Sequence, residues 1–269
     1  MTGRIALRHE DGGALAVVTL SHPGRLNDMS RAMWRALRSA FSHTLATDAA
    51  LRCVLVCGEG AAFCAGGDIS EYPSFRFDEP SLRAFHEDEV WGALAAMLDC
   101  PVPVVAQIEG PCMGAGLEIA SCCDIRLAGA SAKFGAPIAR LGFPMAPREA
   151  ALVQRAVGDA LARDMLLAAG VHDARRLYDA GFVLQVLPDA ELPGAALAHA
   201  RRIAALAPQA ARLNKLTFSE LNRAAVPGDS PHAAINPIAA MLASAYRYAD
   251  SPEHREGIAA FLAKRSPSF

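Results

Sequence analysis

The chain has 269 residues, 52% hydrophobic and 20% charged, with a formal net charge of −2 and a pI of about 6.4. That length suits one large domain or one domain with an appendage, and the apolar fraction is enough for a sizeable core. The near-neutral balance excludes a basic field that would draw in nucleic acid. No apolar run reaches the roughly 18 residues of a membrane span. The N-terminal stretch MTGRIALRHEDGG has no signal-peptide core, so a cytoplasmic protein is expected.

In chain order, ALAVVTL (14–20) is rich in β-branched residues and reads as a strand. SHPGRLN follows as a loop, and Ser30 has the character of an N-cap for a helix over 31–46. LRCVLVCGEG (51–60) reads as a second strand closed by a glycine turn. After a loop over 58–80, a helix is expected over 81–99, then a third apolar strand over 102–110. A short helix around Glu118 and a strand over 124–129 continue the alternation, which favours an α/β core with buried strands. From Pro147 the chain reads as short helices ended by glycines, with one last strand over 184–188. Beyond Ala196 it reads as helical, punctuated at Pro208, Pro227–Gly228 and Ser251–Pro252. A core over 1–196 and a helical appendage over 197–269 are expected.

Seven cysteines lie in apolar runs, odd in number and without a CxxC, and read as reduced, buried thiols. Cys53 and Cys57 stand four apart with no nearby His pair, which argues against zinc; no metal is expected.

The stretch GPCMGAGLEIASCCDI, Gly110 to Ile125, raises the first chemical question, because it sets a carboxylate, Glu118, among apolar and glycine residues. Burying an ionised carboxylate without a partner is expensive, so either something pairs with Glu118 or its discomfort is useful. Two glycine-rich loops each follow a strand: AAFCAGGDI (61–69) and GPCMGAGLE (110–118). Glycines there let the backbone approach a ligand closely, and one amide from each loop can hold a developing oxyanion. The alternative is two tight strand-to-helix turns. No P-loop, third dinucleotide glycine, GxSxG elbow or HExxH occurs. His86 reads as a solvated residue on a helix face.

The ordered motifs HPGRLNDMS, AFCAGGDI, VPVVAQIEGPCMGAGLEIASCCDIRLA and AKFGAP, with the tail FLAKRSPSF, closely resemble the crotonase (enoyl-CoA hydratase/isomerase) superfamily over almost the whole chain. The resemblance implies a spiral of ββα units that binds acyl-CoA thioesters, with C-terminal helices building trimers or hexamers. It implies an oxyanion hole from the amides of Gly67 and Ala115, with Glu118 as acid/base, and no cofactor beyond the coenzyme A of the substrate. Arg25, Ala65, Asp68 and Ile69 fall on positions that contact CoA in the family, as do Phe261 and Lys264, commonly from a neighbouring subunit.

The chain departs from the hydratase pattern at one point. FGAPIARLG carries Ile138 where those enzymes have their second glutamate, and an isoleucine cannot hold a proton. Glu149 and Arg148 open a following helix, where a glutamate also serves as ordinary dipole complementation. Arg140 reads as a surface residue, and Tyr72 as packing. The resulting expectation is a hydratase-like lyase or double-bond isomerase. The alternatives are a CoA-thioester decarboxylase or hydrolase using Arg140 or Arg148, and a non-catalytic CoA- or RNA-binding relative.

Overall fold

The computed structural model describes residues 2–224, 242 and 244–269; the expected break at Pro227–Gly228 lies outside the described residues. Strands β1 (Arg4–Glu10), β2 (Leu15–Ser21), β3 (Cys53–Gly58), β4 (Val104–Ile108), β6 (Ile125–Gly129) and β9 (Gln185–Leu187) form one six-stranded sheet in that order. Only the β1–β2 pair is antiparallel. A second, three-stranded sheet holds β5 (Pro111–Met113), β7 (Lys133–Gly135) and β8 (Val171–Asp173).

Alternation along the strands explains how both faces of the large sheet are buried. Leu15, Val17, Cys53, Leu55, Val105 and Leu127 point to one face. They are covered by Leu192, Ala196, Ala200 and Ile203 of α8 (Leu192–Ala204). Ala16, Val18, Leu20, Val54, Val56, Val104 and Ala106 point to the other, against the second sheet and the helices α1 (Arg31–Ser39), α3 (Trp91–Leu98) and α4 (Ala115–Cys122). A strand buried on both faces reads as an unbroken apolar run, as these do. Each such side chain contributes about 1.5–3 kcal/mol on leaving water.

The chain climbs as a spiral. Each turn lays a strand in the large sheet, crosses to the second layer, and returns through a helix. The last turns are β4–β5–α4 and β6–β7–α5 (Pro147–Val157). The two earlier turns have only single bridges in the second layer: Met29 pairs parallel with Gly67, and Cys64 pairs parallel with Cys112 of β5. The second layer thus runs Met29, 64–67, β5, β7, β8. This is the ββα spiral that the resemblance implies.

Local sequence explains the helix starts. The Ser30 side chain accepts the Met33 N–H at 3.2 Å, capping α1 as expected. The helix over 81–99 begins at α2 (Glu79–Ala84), capped by Asp78, and reaches α3 through a π-type turn, Phe85–Val90. α6 (Asp159–Leu167) and α7 (Ala174–Asp179) follow α5, and α8 runs through the expected boundary at Ala196, whose side chain is buried on the sheet. Beyond it lie α9 (Pro208–Ala224) and α10 (Pro252–Leu262). Lys215 of α9 reaches back to Asp124 Oδ2 (2.8 Å) and the Val102 carbonyl (2.9 Å), tying α9 to the sheet. None of the described helices is long and apolar enough to cross a membrane.

Candidate active site

The two glycine loops meet in the second layer. The Met29 N–H donates to the Gly66 carbonyl (2.8 Å) and the Asp68 N–H to the Met29 carbonyl (2.9 Å). The Gly66 carbonyl and the Gly67 N–H belong to one trans peptide and point to opposite sides, so the N–H of Gly67 faces away from Met29. Gly66 has φ +126°, a conformation open to glycine, and a Cβ on Gly116 would stand 2.5 Å from the Cys64 carbonyl oxygen. These two glycines let the loops touch. Ala115 is the first residue of α4, so its N–H has no intrahelical acceptor and lies at the positive end of the helix dipole.

A cavity of about 300 Å³ opens over this seam, and both loops line it. Glu118, one turn after Ala115 and on the same helix face, points into it. Only 7% of Glu118 is exposed. Burial, reinforced by the negative charge of Glu149, holds its carboxyl well above the usual carboxylate range. Glu149, 3% exposed, comes from the first turn of α5 and lines the same cavity. Its Oε1 lies 2.8 Å from His86 Nδ1, and His86 Nε2 lies 3.4 Å from Arg76 Nη1. The Arg76 guanidinium is stacked 3.7 Å over the Phe143 ring and 4.5 Å over Tyr72. Tyr72 also lines the cavity, and burial pushes its phenol up to about 12, so it stays a neutral hydroxyl. That hydroxyl sits beside Gly67, where a Cβ would stand 2.4 Å from it.

The site therefore gathers Ala65, Gly67, Ile69, Ala115 and Glu118 around one cavity, with Ile138 on its wall. Asp68 lies just behind, 6% exposed; its Oδ1 accepts the Ser70 N–H at 3.0 Å and an Arg25 N–H. Arg25 also donates to Asp28 Oδ2 at 3.1 Å and does not line the cavity. His22, Asp28 and Asp68 bring ligand-type atoms within 4.8 Å of one another, but the Arg25 cation already bridges the two carboxylates, an arrangement ill suited to a metal ion. Phe261 and Lys264 lie on and just after α10, exposed and outside the cavity lining. The seven thiols are free, and burial pushes those of Cys53, Cys64 and Cys123 up to about 12, which leaves them unreactive.

Two residues differ from their sequence reading. His86 faces the cavity rather than open water, because the π-type turn shifts the helix phase at that point. Glu149 is buried in the cavity rather than simply complementing a dipole. Its signal was present in the sequence: Glu149 is in phase with Leu152, Val153 and Val157, the buried stripe of α5. Arg140 is exposed, as its surface reading expects; it borders the cavity and donates to the Ala169 carbonyl at 3.3 Å, whereas Arg148 pairs with Glu87 at 3.3 Å.

Residues 10–269 match the family model for enoyl-CoA hydratase/isomerase. The chain belongs to this family. It is 31% identical over 255 residues to a probable enoyl-CoA hydratase of Mycobacterium bovis, covering 95% of this chain and 94% of that one. Among solved structures, an enoyl-CoA hydratase/carnithine racemase from Magnetospirillum magneticum superposes with a TM-score of 0.89 at 38% identity, covering 100% and 96% of the two chains. An enoyl-CoA hydratase from Polaromonas sp. superposes with a TM-score of 0.85 at 28% identity, covering 99% of each. The crotonase fold expected from the motifs is the fold of this family member.

Proposed function

We propose that the protein is an acyl-CoA-processing enzyme. In this reading the thioester oxygen sits between the amides of Gly67 and Ala115, and Glu118 moves a proton at the adjacent carbon. The observation that carries the reading is Glu118 itself, buried one turn from the free N–H groups that open α4, with no cation set against it among the described residues. A carboxyl whose pKa burial raises above the usual carboxylate range suits proton transfer at carbon, and donors fixed in advance stabilise the enolate that forms. Coenzyme A enters only as part of the substrate. Arg25, Ala65, Asp68 and Ile69 form its rim on this chain. Phe261 and Lys264 would reach it from a neighbouring subunit of a trimer or hexamer. Exposed Leu213, Leu216 and Phe218 on α9, and Ile258 and Phe261 on α10, support such an assembly.

The decarboxylase reading is disfavoured. Arg76 and Arg140 do line the cavity, but both are already engaged, Arg76 with His86 and the Phe143 and Tyr72 rings and Arg140 with the Ala169 carbonyl. The test is hydrogen exchange in deuterated water. Wild-type protein should place deuterium on the α carbon of hexanoyl-CoA, and Glu118→Gln should lose that exchange while still binding CoA. Equal exchange by both proteins would remove Glu118 from the reaction.

A further inference from the structure

The following rests on the reading of Glu118 above and deepens it. The cavity holds two carboxyl groups that the surrounding protein treats in opposite ways. Arginine only donates hydrogen bonds, so at 3.4 Å from Arg76 Nη1 the His86 Nε2 is the acceptor. The imidazole proton is then assigned to Nδ1, which donates to Glu149 Oε1 at 2.8 Å. Arg76 is held in turn by the faces of Phe143 and Tyr72. The series Arg76–His86–Glu149 thus holds a hydrogen-bonded carboxyl group in place in the cavity wall. Among the described residues Glu118 receives no such hydrogen bond, and burial together with the charge of Glu149 favours its protonated form. Two carboxyl groups in one cavity, one positioned by a hydrogen bond and the other held protonated by burial, can act as base and acid within one site. Ile138, on the 3-10 turn Pro137–Leu141, leaves the intervening wall apolar, so the second group arrives from α5.

We propose that Glu149 is the second proton-transferring residue of the site, and that the cavity shifts the double bond of an unsaturated acyl thioester. Glu149 takes a proton from the γ carbon, and that C–H electron pair becomes the β,γ double bond. The former α,β pair forms a C–H bond at the α carbon with the proton of Glu118, passing through a dienolate held at the thioester oxygen. Glu149 ends protonated and Glu118 ionised; the reverse reaction or exchange with water resets them. Nothing is oxidised or reduced, and no co-reactant is needed. His86 is a positioning residue that acts through Glu149.

The experiment follows deuterium by NMR in wild type, Glu118→Gln, Glu149→Gln, His86→Ala and His86→Gln, using trans-2-hexenoyl-CoA and saturated hexanoyl-CoA. Wild type should label the α and γ carbons of the enoyl thioester and move its double bond. Glu149→Gln should lose γ labelling and the double-bond shift by about 100-fold or more. It should still exchange the α proton of hexanoyl-CoA, which also reports that the variant folds. That exchange should begin at lower pH than in wild type, because removing the Glu149 charge makes Glu118 easier to ionise. Tyr72 and Cys64, pushed up to about 12, and Cys122, also held high by burial, do not mask this, and the shift should persist when His86, the remaining titratable ring of the cavity, is replaced by Gln as well. His86→Ala should lower kcat and leave KM, with partial recovery in His86→Gln, which keeps an N–H donor. A double-bond shift at the wild-type rate in Glu149→Gln would overturn the role of Glu149. Water addition by wild type without γ labelling would overturn the double-bond shift. No α exchange by wild type on hexanoyl-CoA would instead overturn the underlying reading of Glu118.

Discussion

Glu118 and Asp124 lie six residues apart on one stretch of chain, and the molecule handles them in opposite ways. At the start of β6, Asp124 Oδ2 accepts the Val104 N–H at 2.7 Å and the Lys215 ammonium at 2.8 Å. In the cavity, Glu118 faces a second carboxylate and burial, and both push its pKa up. An acid whose charge is matched is part of the scaffold. An acid whose charge is opposed costs stability, and that cost marks a site of chemistry.

The largest expected effect separates these two acids directly. Glu118→Gln should reduce α-proton exchange by about 100- to 10,000-fold. The same variant should change how stability depends on pH. The raised pKa means that folded wild type holds a proton the unfolded chain releases above about 4.3. Wild type therefore loses stability as pH rises from there toward the folded pKa, and Glu118→Gln lacks that slope. Denaturant melts of both proteins from pH 4 to 9 check the sign, and parallel curves would contradict it.

Next in size is the scaffold acid. Lys215→Ala removes the cation from Asp124, which keeps only the Val104 N–H, and the lysine donor from the Val102 carbonyl; it should cost about 2 kcal/mol, less than a fully buried pair because Asp124 is partly exposed. Exchange per folded molecule should stay at the wild-type level; a comparable loss of exchange would blur the contrast between the two regions. Smaller still, Gly67→Ala forces the Tyr72 hydroxyl aside and should slow exchange by about tenfold. Adding Tyr72→Phe, which removes the clashing oxygen, should restore part of the rate. A double mutant no faster than the single would place the damage in the backbone amide itself. The smallest change is Arg25→Ala, which should raise KM for acyl-CoA and leave kcat unchanged.

Much of the large sheet was legible because its strands are buried on both faces and read as apolar runs. β5, β7 and β8 were not, since three residues are too short to display a period, and β1 was hidden by its half-exposed, charged sequence RIALRHE. In the site, Glu118 stood out because nothing in its own segment accounts for it. Glu149 was masked by a sufficient local explanation, the start of a helix after Pro147. Its burial arises from the packing of α5 on α4 and from His86, which lies 63 residues earlier in the chain. Long-range packing of that kind leaves little trace in a local pattern.

The spiral also has a consequence for how such a protein can change. Successive turns each deliver residues to the same seam: Gly67 from one, Ala115 with Glu118 from the next, Ile138 and Glu149 from the one after. In the proposed reading, the two amides and Glu118 come from the earlier turns and the second proton-transferring group from the last, so these roles are carried by separable pieces of chain. Mutation in the last of these turns can redirect chemistry while the earlier turns keep the substrate in place, so new reactions are reachable by small steps that never abandon binding.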